Sequence, residues 1–330
     1  MADTTTQAFN TKKNGQALFF PGLVPSRYSA IADYIENDPY ARHRFTEFSE
    51  ILGYSLVEEY READIYDWEV YELGHSAICL ALADFAVEKL GVEPTVVVGQ
   101  SFGSFVGALF SGVLSIEDTV RLVQESTRVE LDYFENLPQA VGCLFFYRMT
   151  SKDVHDLVQE GAVQSEDSWL EVSIDLDTTV HAVSGTVPEL ERFRQRVKEK
   201  GGFPFYMMNR AEHCSRVSGL RDRLDHEVYE HLNWRKASVP MLSDVDGKLR
   251  WDGTEIREDL LDGWVTPVVW STITEGLLSA NVGTAHVLGP RNLFSRMTDE
   301  YVTTSVVSPR KVMQFHSQNT LERDRVGRAR

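Results

Sequence analysis

A serine set between two glycines, in Gly99-Gln100-Ser101-Phe102-Gly103, is where residue types and spacing first point to chemistry in this chain. The β-branched run Thr95-Val96-Val97-Val98 precedes it and a small-residue stretch with Ser104, Gly107 and Ala108 follows, which reads as a sharp strand-to-helix turn. The glycines let that turn tighten and expose Ser101, and the amino end of the next helix can stabilise an oxyanion. A serine hydroxyl is a weak nucleophile until a base takes its proton, and nine histidines compete for that role. One of them, His286, stands where an ordinary α/β hydrolase carries its base, with Asp244 or Asp262 as the preceding acid.

Elements able to position such a serine are visible on both sides of it. Ala17-Leu18-Phe19-Phe20, closed by Pro21-Gly22, and Thr95 to Val98, closed by Gly99, are short apolar runs of the length of buried, neighbouring parallel strands. Between them Tyr71 to Leu90 has helical spacing and ends at Gly91, so strand and helix alternate. Ser115-Ile116-Glu117-Asp118 resembles a capping box opening a helix to about Glu135, with Val120, Val123 and Leu131 on its apolar face. Residues 140–208 follow another rhythm, strand-helix-strand-strand-helix-strand, the order of a ferredoxin-like unit. The α/β pattern then resumes, with Val239 to Leu242 a strand and Asp246-Gly247 a hairpin turn. The expected organisation is a discontinuous α/β domain over 16–139 and 209–316, a small α+β domain over 140–208, and flexible tails over 1–15 and 317–330, which hold little apolar surface.

Composition narrows the function classes. Of 330 residues, 33 are Lys or Arg and 50 are Asp or Glu, a formal charge of −17 that argues against nucleic acid and anionic membrane surfaces as partners. No run of 18 apolar residues predicts a membrane span. Cys79, Cys143 and Cys214 lie far apart, which predicts neither a disulfide framework nor a zinc site and fits a reducing cytoplasm. Asp175 and Asp177 lack a histidine at ligand spacing, so no metal is expected.

Taken together, these marks resemble the malonyl-CoA:acyl carrier protein transacylase family of fatty-acid and polyketide synthesis. The resemblance covers residues 17 to about 296. It is carried by Phe20-Pro21-Gly22, the Gly-Gln-Ser-Phe-Gly turn, Val120-Arg121-Leu122-Val123, His213 at 112 residues after Ser101, Thr266-Pro267-Val268-Val269-Trp270 and Gly289-Pro290. It implies a hydrolase-like parallel-sheet large domain with an inserted ferredoxin-like small domain. It also implies that Ser101 is acylated, that His213 is general base and acid, and that the backbone N–H groups of Leu23 and Phe102 form the oxyanion hole. Backbone carbonyls near Val265-Thr266-Pro267 would orient the histidine, so no acidic third member is required. No cofactor is expected to be bound; the acyl group would travel on the phosphopantetheine of a carrier protein or on coenzyme A.

The departures from the family bear on the acyl group. Gln100 replaces the usual histidine before the nucleophile. Ser126 stands where malonyl-selective members place the arginine that pairs the malonyl carboxylate, and a buried carboxylate without that cation is costly. Glu72 matches the usual glutamine facing the site, Glu212 precedes the histidine, and Met207-Met208 can line an adaptable pocket. Malonate is therefore disfavoured against a neutral or ammonium-bearing acyl group. That pattern resembles the discrete trans-acting acyltransferases of macrolactam antibiotic pathways, which pass aminoacyl or dipeptidyl groups between carrier proteins, discrete or in a synthase loading module. The alternatives are a discrete acyl-CoA extender-unit acyltransferase and an acyl-carrier hydrolase. Arg148, Arg210, Arg216, Arg291 and Arg296 are the expected carrier-binding cations.

Overall fold

The computed structural model describes residues 13–23, 26–161, 165, 167–176, 180–290 and 294–328, with side chains to 318. Residues 1–12 of the expected leading tail, Asp177 and Arg291 lie outside the described residues. Two sheets form around the apolar runs. The larger takes β1 (Gly15–Phe20), β2 (Val96–Gly99), β7 (Met241–Leu242), β8 (Leu249–Arg250), β10 (Val282–Leu288) and β11 (Thr303–Val307) in the order β11-β10-β1-β2-β7-β8. Neighbours are parallel except for the β7/β8 hairpin around Gly247, whose φ of 72° is left-handed. Ala17, Leu18, Phe19 and Phe20 in β1 are fully buried because both faces of the strand are covered.

The second sheet contains β3 (Val141–Tyr147), β4 (Leu170–Leu176), β5 (Val180–Thr186), β6 (Phe203–Met208) and β9 (Val268–Val269), in the order β6-β3-β5-β4-β9. Helices Ser151–Glu160 and Val187–Glu199 complete the strand-helix-strand-strand-helix-strand order of residues 141–208. They cover one face through Leu157, Leu190, Phe193 and Val197, which pack with Leu144, Phe146 and Val183. Cys143, Ile174, Ala182 and Met208 on the other face share a core with Phe19, Val98 and Trp270 of the large domain. The domains are further joined by β9, a large-domain strand that extends the small sheet parallel to β4.

Helices frame the site. Trp68–Leu90 is long and apolar enough by composition to cross a membrane, but 89% of its most apolar window is buried inside the fold, which makes it a core helix. Ile116–Glu135 begins at Ser115, whose hydroxyl accepts the Asp118 N–H at 3.0 Å, as a capping serine should. Its apolar face differs from the expected one: Leu131 is 51% exposed, and Glu130 beside it is buried. The chain from Ser317 is also not a tail. It continues the helix Pro309–Arg328, which is seated through Val312, Met313, Phe315 and a 2.8 Å contact from His316 Nε2 to Asp38. Leu321, Glu322, Arg323 and Arg325 are good helix formers, and propagation on an anchored nucleus needs no further apolar surface.

Candidate active site

The turn after β2 is as tight as its glycines imply. A Cβ on Gly99 would lie 2.2 Å from Ser104 Cα, and one on Gly103 would lie 2.0 Å from the Phe20 carbonyl oxygen. Ser101 between them takes φ 54° and ψ −129°, a conformation rare for a residue with a side chain, held by the elements on either side. Its hydroxyl points at His213: Oγ to Nε2 is 2.8 Å. The other ring nitrogen, Nδ1, lies 2.6 Å from the Gly263 carbonyl oxygen, an acceptor that fixes the proton on Nδ1 and leaves Nε2 free to accept from the serine.

The segment bearing His213 is clamped from both domains. Ser184 Oγ on β5 donates to the Glu212 carbonyl at 2.9 Å and accepts the Glu212 N–H at 3.2 Å. Cys214 N–H donates to the Trp264 carbonyl at 3.2 Å. The loop carrying Leu23 is held by two side chains. Gln100 Oε1 accepts the Gly22 N–H at 3.0 Å, and His75 Nε2 donates to the Pro21 carbonyl at 3.2 Å. Burial pushes His75 down to about 4, so the ring stays a neutral donor near neutral pH. Phe102 opens the helix Phe102–Phe110, so its amide and the Leu23 loop flank Ser101.

Two cavities of about 600 Å³ each reach Ser101. One is largely apolar and lies against the small sheet, lined by Leu23, Gln100, Phe145, Ile174, Met208 and Phe294 among others. The other runs under the helix Ile116–Glu135 and holds Glu72, Ser126, Glu130, Arg210 and Glu212 beside Ser101 and His213. Arg210 is the only guanidinium among its described lining residues. Nη2 lies 3.0 Å from Glu72, Nη1 2.5 Å from Glu130 and Nε 3.8 Å from Glu212, and the group stacks 4.4 Å over the Trp68 ring. Burial raises Glu72 and carries Glu130 up to about 8, against the pull of Arg210. Ser126 faces the same cavity with a buried hydroxyl that has no partner among the described residues.

Two expectations are corrected here. Arg210 is 6% exposed and committed to the carboxylates, so it cannot meet a carrier protein at the surface. His286 Nε2 lies 2.9 Å from Gln16 Oε1, and the histidine on Ser101 is His213; Asp262 pairs with Arg221 instead. Arg148 is exposed and lies over the Tyr147 and Phe203 rings, Arg216 pairs with Glu171, and Arg296 is exposed on Ser295–Asp299. Glu130, His75 and the contact of Asp244 with the Ser101 amide escaped the sequence reading. Glu130 lies one helical turn after Ser126, a spacing that placed it on the same face.

The tight turn at Ser101, the carbonyl-held histidine and the inserted small sheet define a two-domain α/β fold with a Ser–His pair at the domain junction. Residues 152–208 match the family described as the VinK acyltransferase small domain. The malonyl CoA-acyl carrier protein transacylase of Haemophilus influenzae is 22% identical over 312 residues, 91% of this chain and 97% of that protein. The FabD crystal structure from Acinetobacter baumannii superposes with a TM-score of 0.78 at 17% identity, covering 93% of this chain and 98% of that one. A malonyl-transacylase solved with its type II polyketide acyl carrier protein superposes with a TM-score of 0.77 at 20% identity, covering 89% and 96%. By sequence and by fold, over about nine-tenths of its length, the chain is similar to malonyl CoA-acyl carrier protein transacylases.

Proposed function

We propose that this protein is an acyltransferase that moves a non-malonyl acyl group, aminoacyl or dipeptidyl in character, between acyl carrier proteins of a polyketide pathway. In this reading Ser101 Oγ attacks the donor thioester while His213 Nε2 takes its proton, and the Phe102 and Leu23 amides bind the oxyanion. The pantetheine thiol leaves with that proton, and the acceptor's thiol then reverses the sequence. The three buried cysteines, all free thiols, fit the reducing cytoplasm of such pathways.

The observation that carries the acyl preference is the charge of the cavity under Ser126. Glu72, Glu130 and Glu212 face one guanidinium, and no cation stands at position 126. A malonyl carboxylate there would find no cation of its own beside glutamates that already share one guanidinium, whereas an ammonium would find acceptors among them.

Intact-protein mass spectrometry after incubation with malonyl-CoA, acetyl-CoA and an aminoacylated carrier protein tests this directly. The expected result is an aminoacyl adduct on wild type, none on Ser101→Ala, and no malonyl adduct. A stable malonyl adduct would make the protein an extender-unit loader, and release of free acid without transfer would make it a hydrolase.

A further inference from the structure

His213 has a carbonyl, not a carboxylate, on Nδ1, yet a carboxylate lies on the far side of the pair. Val98 on β2 pairs with Leu242 on β7, which brings the residues just after β7 beside the nucleophile turn. Asp244 Oδ2 there accepts the backbone N–H of Ser101 at 2.7 Å and lines the same cavity as His213. Two consequences follow. The nucleophile's own amide is spent on Asp244 and is withheld from any oxyanion. The Asp244 carboxyl also shares a cavity with the ring that turns cationic when it takes the serine proton. Burial pushes the Asp244 carboxyl up, and both the Ser101 N–H and the His213 charge favour its ionised form.

We infer that Asp244 is the positioning residue of the Ser101–His213 pair: it latches the strained nucleophile turn through the Ser101 amide and serves as the through-space counter-charge to the His213 imidazolium. The other charged groups of the cavity are otherwise engaged. Glu72, Glu130 and Glu212 surround Arg210, and Asp259 pairs with Arg250 at 3.0 Å.

The inference rests on the Ser101–His213 reading, and one probe separates the two. A fluorophosphonate reacts when Ser101 Oγ bonds to phosphorus, fluoride leaves and the serine proton passes to His213. Its second-order labelling rate should be measured from pH 5 to pH 9 on wild type, Asp244→Asn and Asp244→Thr, each checked for folding by near-UV circular dichroism. Asparagine keeps an oxygen acceptor in reach of the amide and removes the charge; threonine, whose hydroxyl is one bond shorter, removes the charge and loosens the latch. Losing a buried counter-charge should slow labelling at pH 7 by about tenfold or more and move the acid limb of the profile down by about half a pH unit in both variants. Labelling within about twofold of wild type with an unmoved limb in either folded variant would overturn the counter-charge role. No labelling of wild type would instead remove the serine-nucleophile reading beneath it.

Discussion

Glu130 and Ser126 show how few side chains set the character of the cavity beside Ser101 and His213. The proton that Glu130 retains when folded makes a pH prediction with a definite sign. Its folded value of about 8 lies above its ordinary 4.5, so proton binding stabilises the fold at low pH, and that contribution is lost as pH rises through about 8. Melting temperature should therefore fall between pH 5.5 and pH 8.5 in wild type and fall less in Glu130→Gln; parallel curves would mean that Glu130 is already ionised at pH 5.5. Placing a cation at position 126 should be made together with Glu130→Gln, because an arginine there would otherwise draw the proton off Glu130 and pair with it. Ser126→Arg/Glu130→Gln is expected to form a malonyl adduct at least about tenfold faster than wild type, the scale of one bidentate pair, by the same mass measurement. An unchanged adduct pattern would show that position 126 does not touch the acyl group.

At the scale of elements, the turn around Ser101 tolerates no extra atom. Gly103→Ala would drive a Cβ into the Phe20 carbonyl, and both β1 and the helix after Ser101 are buried. That variant is expected to lose fluorophosphonate labelling along with its near-UV signature, whereas Ser115→Ala, which removes a cap from a helix end, should cost about 1 kcal/mol in urea unfolding and leave labelling intact. The strands and both domain patterns were legible because each depends on local runs: four apolar residues closed by Pro-Gly or Gly, and a two-residue turn at Asp246-Gly247. The turn that carries Ser101 was legible for the same reason. What was not legible depends on partners distant in the chain. Arg210 looks like a surface cation until Glu72 and Glu130 are brought around it, and Glu130 looks solvated until Leu131 is found outside in its place. The final helix was misjudged because its composition shows no apolar face, while its anchor lies earlier, at Val312 to His316.

Across the whole molecule, a net charge of −17 offers an acidic carrier protein, the partner in the proposed function, no long-range attraction, so docking in that reading would rest on a few local cations. Arg148 is the best placed of those the structure describes: exposed, in the left-handed region at φ 68°, and braced over two aromatic rings at the end of β3. Arg148→Glu should raise KM for the carrier substrate several-fold while leaving turnover of a small pantetheine-like thioester unchanged. Equal loss with both substrates would place Arg148 at the site itself, and no loss would remove it from docking. The arrangement of the large sheet also bears on how the chain reaches its fold. Because β1 sits between β2 and β10, residues 15–20 have only one of their two strand neighbours until residues 282–288 have left the ribosome. The four antiparallel strands within residues 141–208 need no such wait, so the small sheet can assemble during synthesis while Phe19, Val98 and the apolar faces around them stay uncovered. Late closure of the central strand thus leaves the nascent large domain with apolar surface uncovered that the finished protein buries.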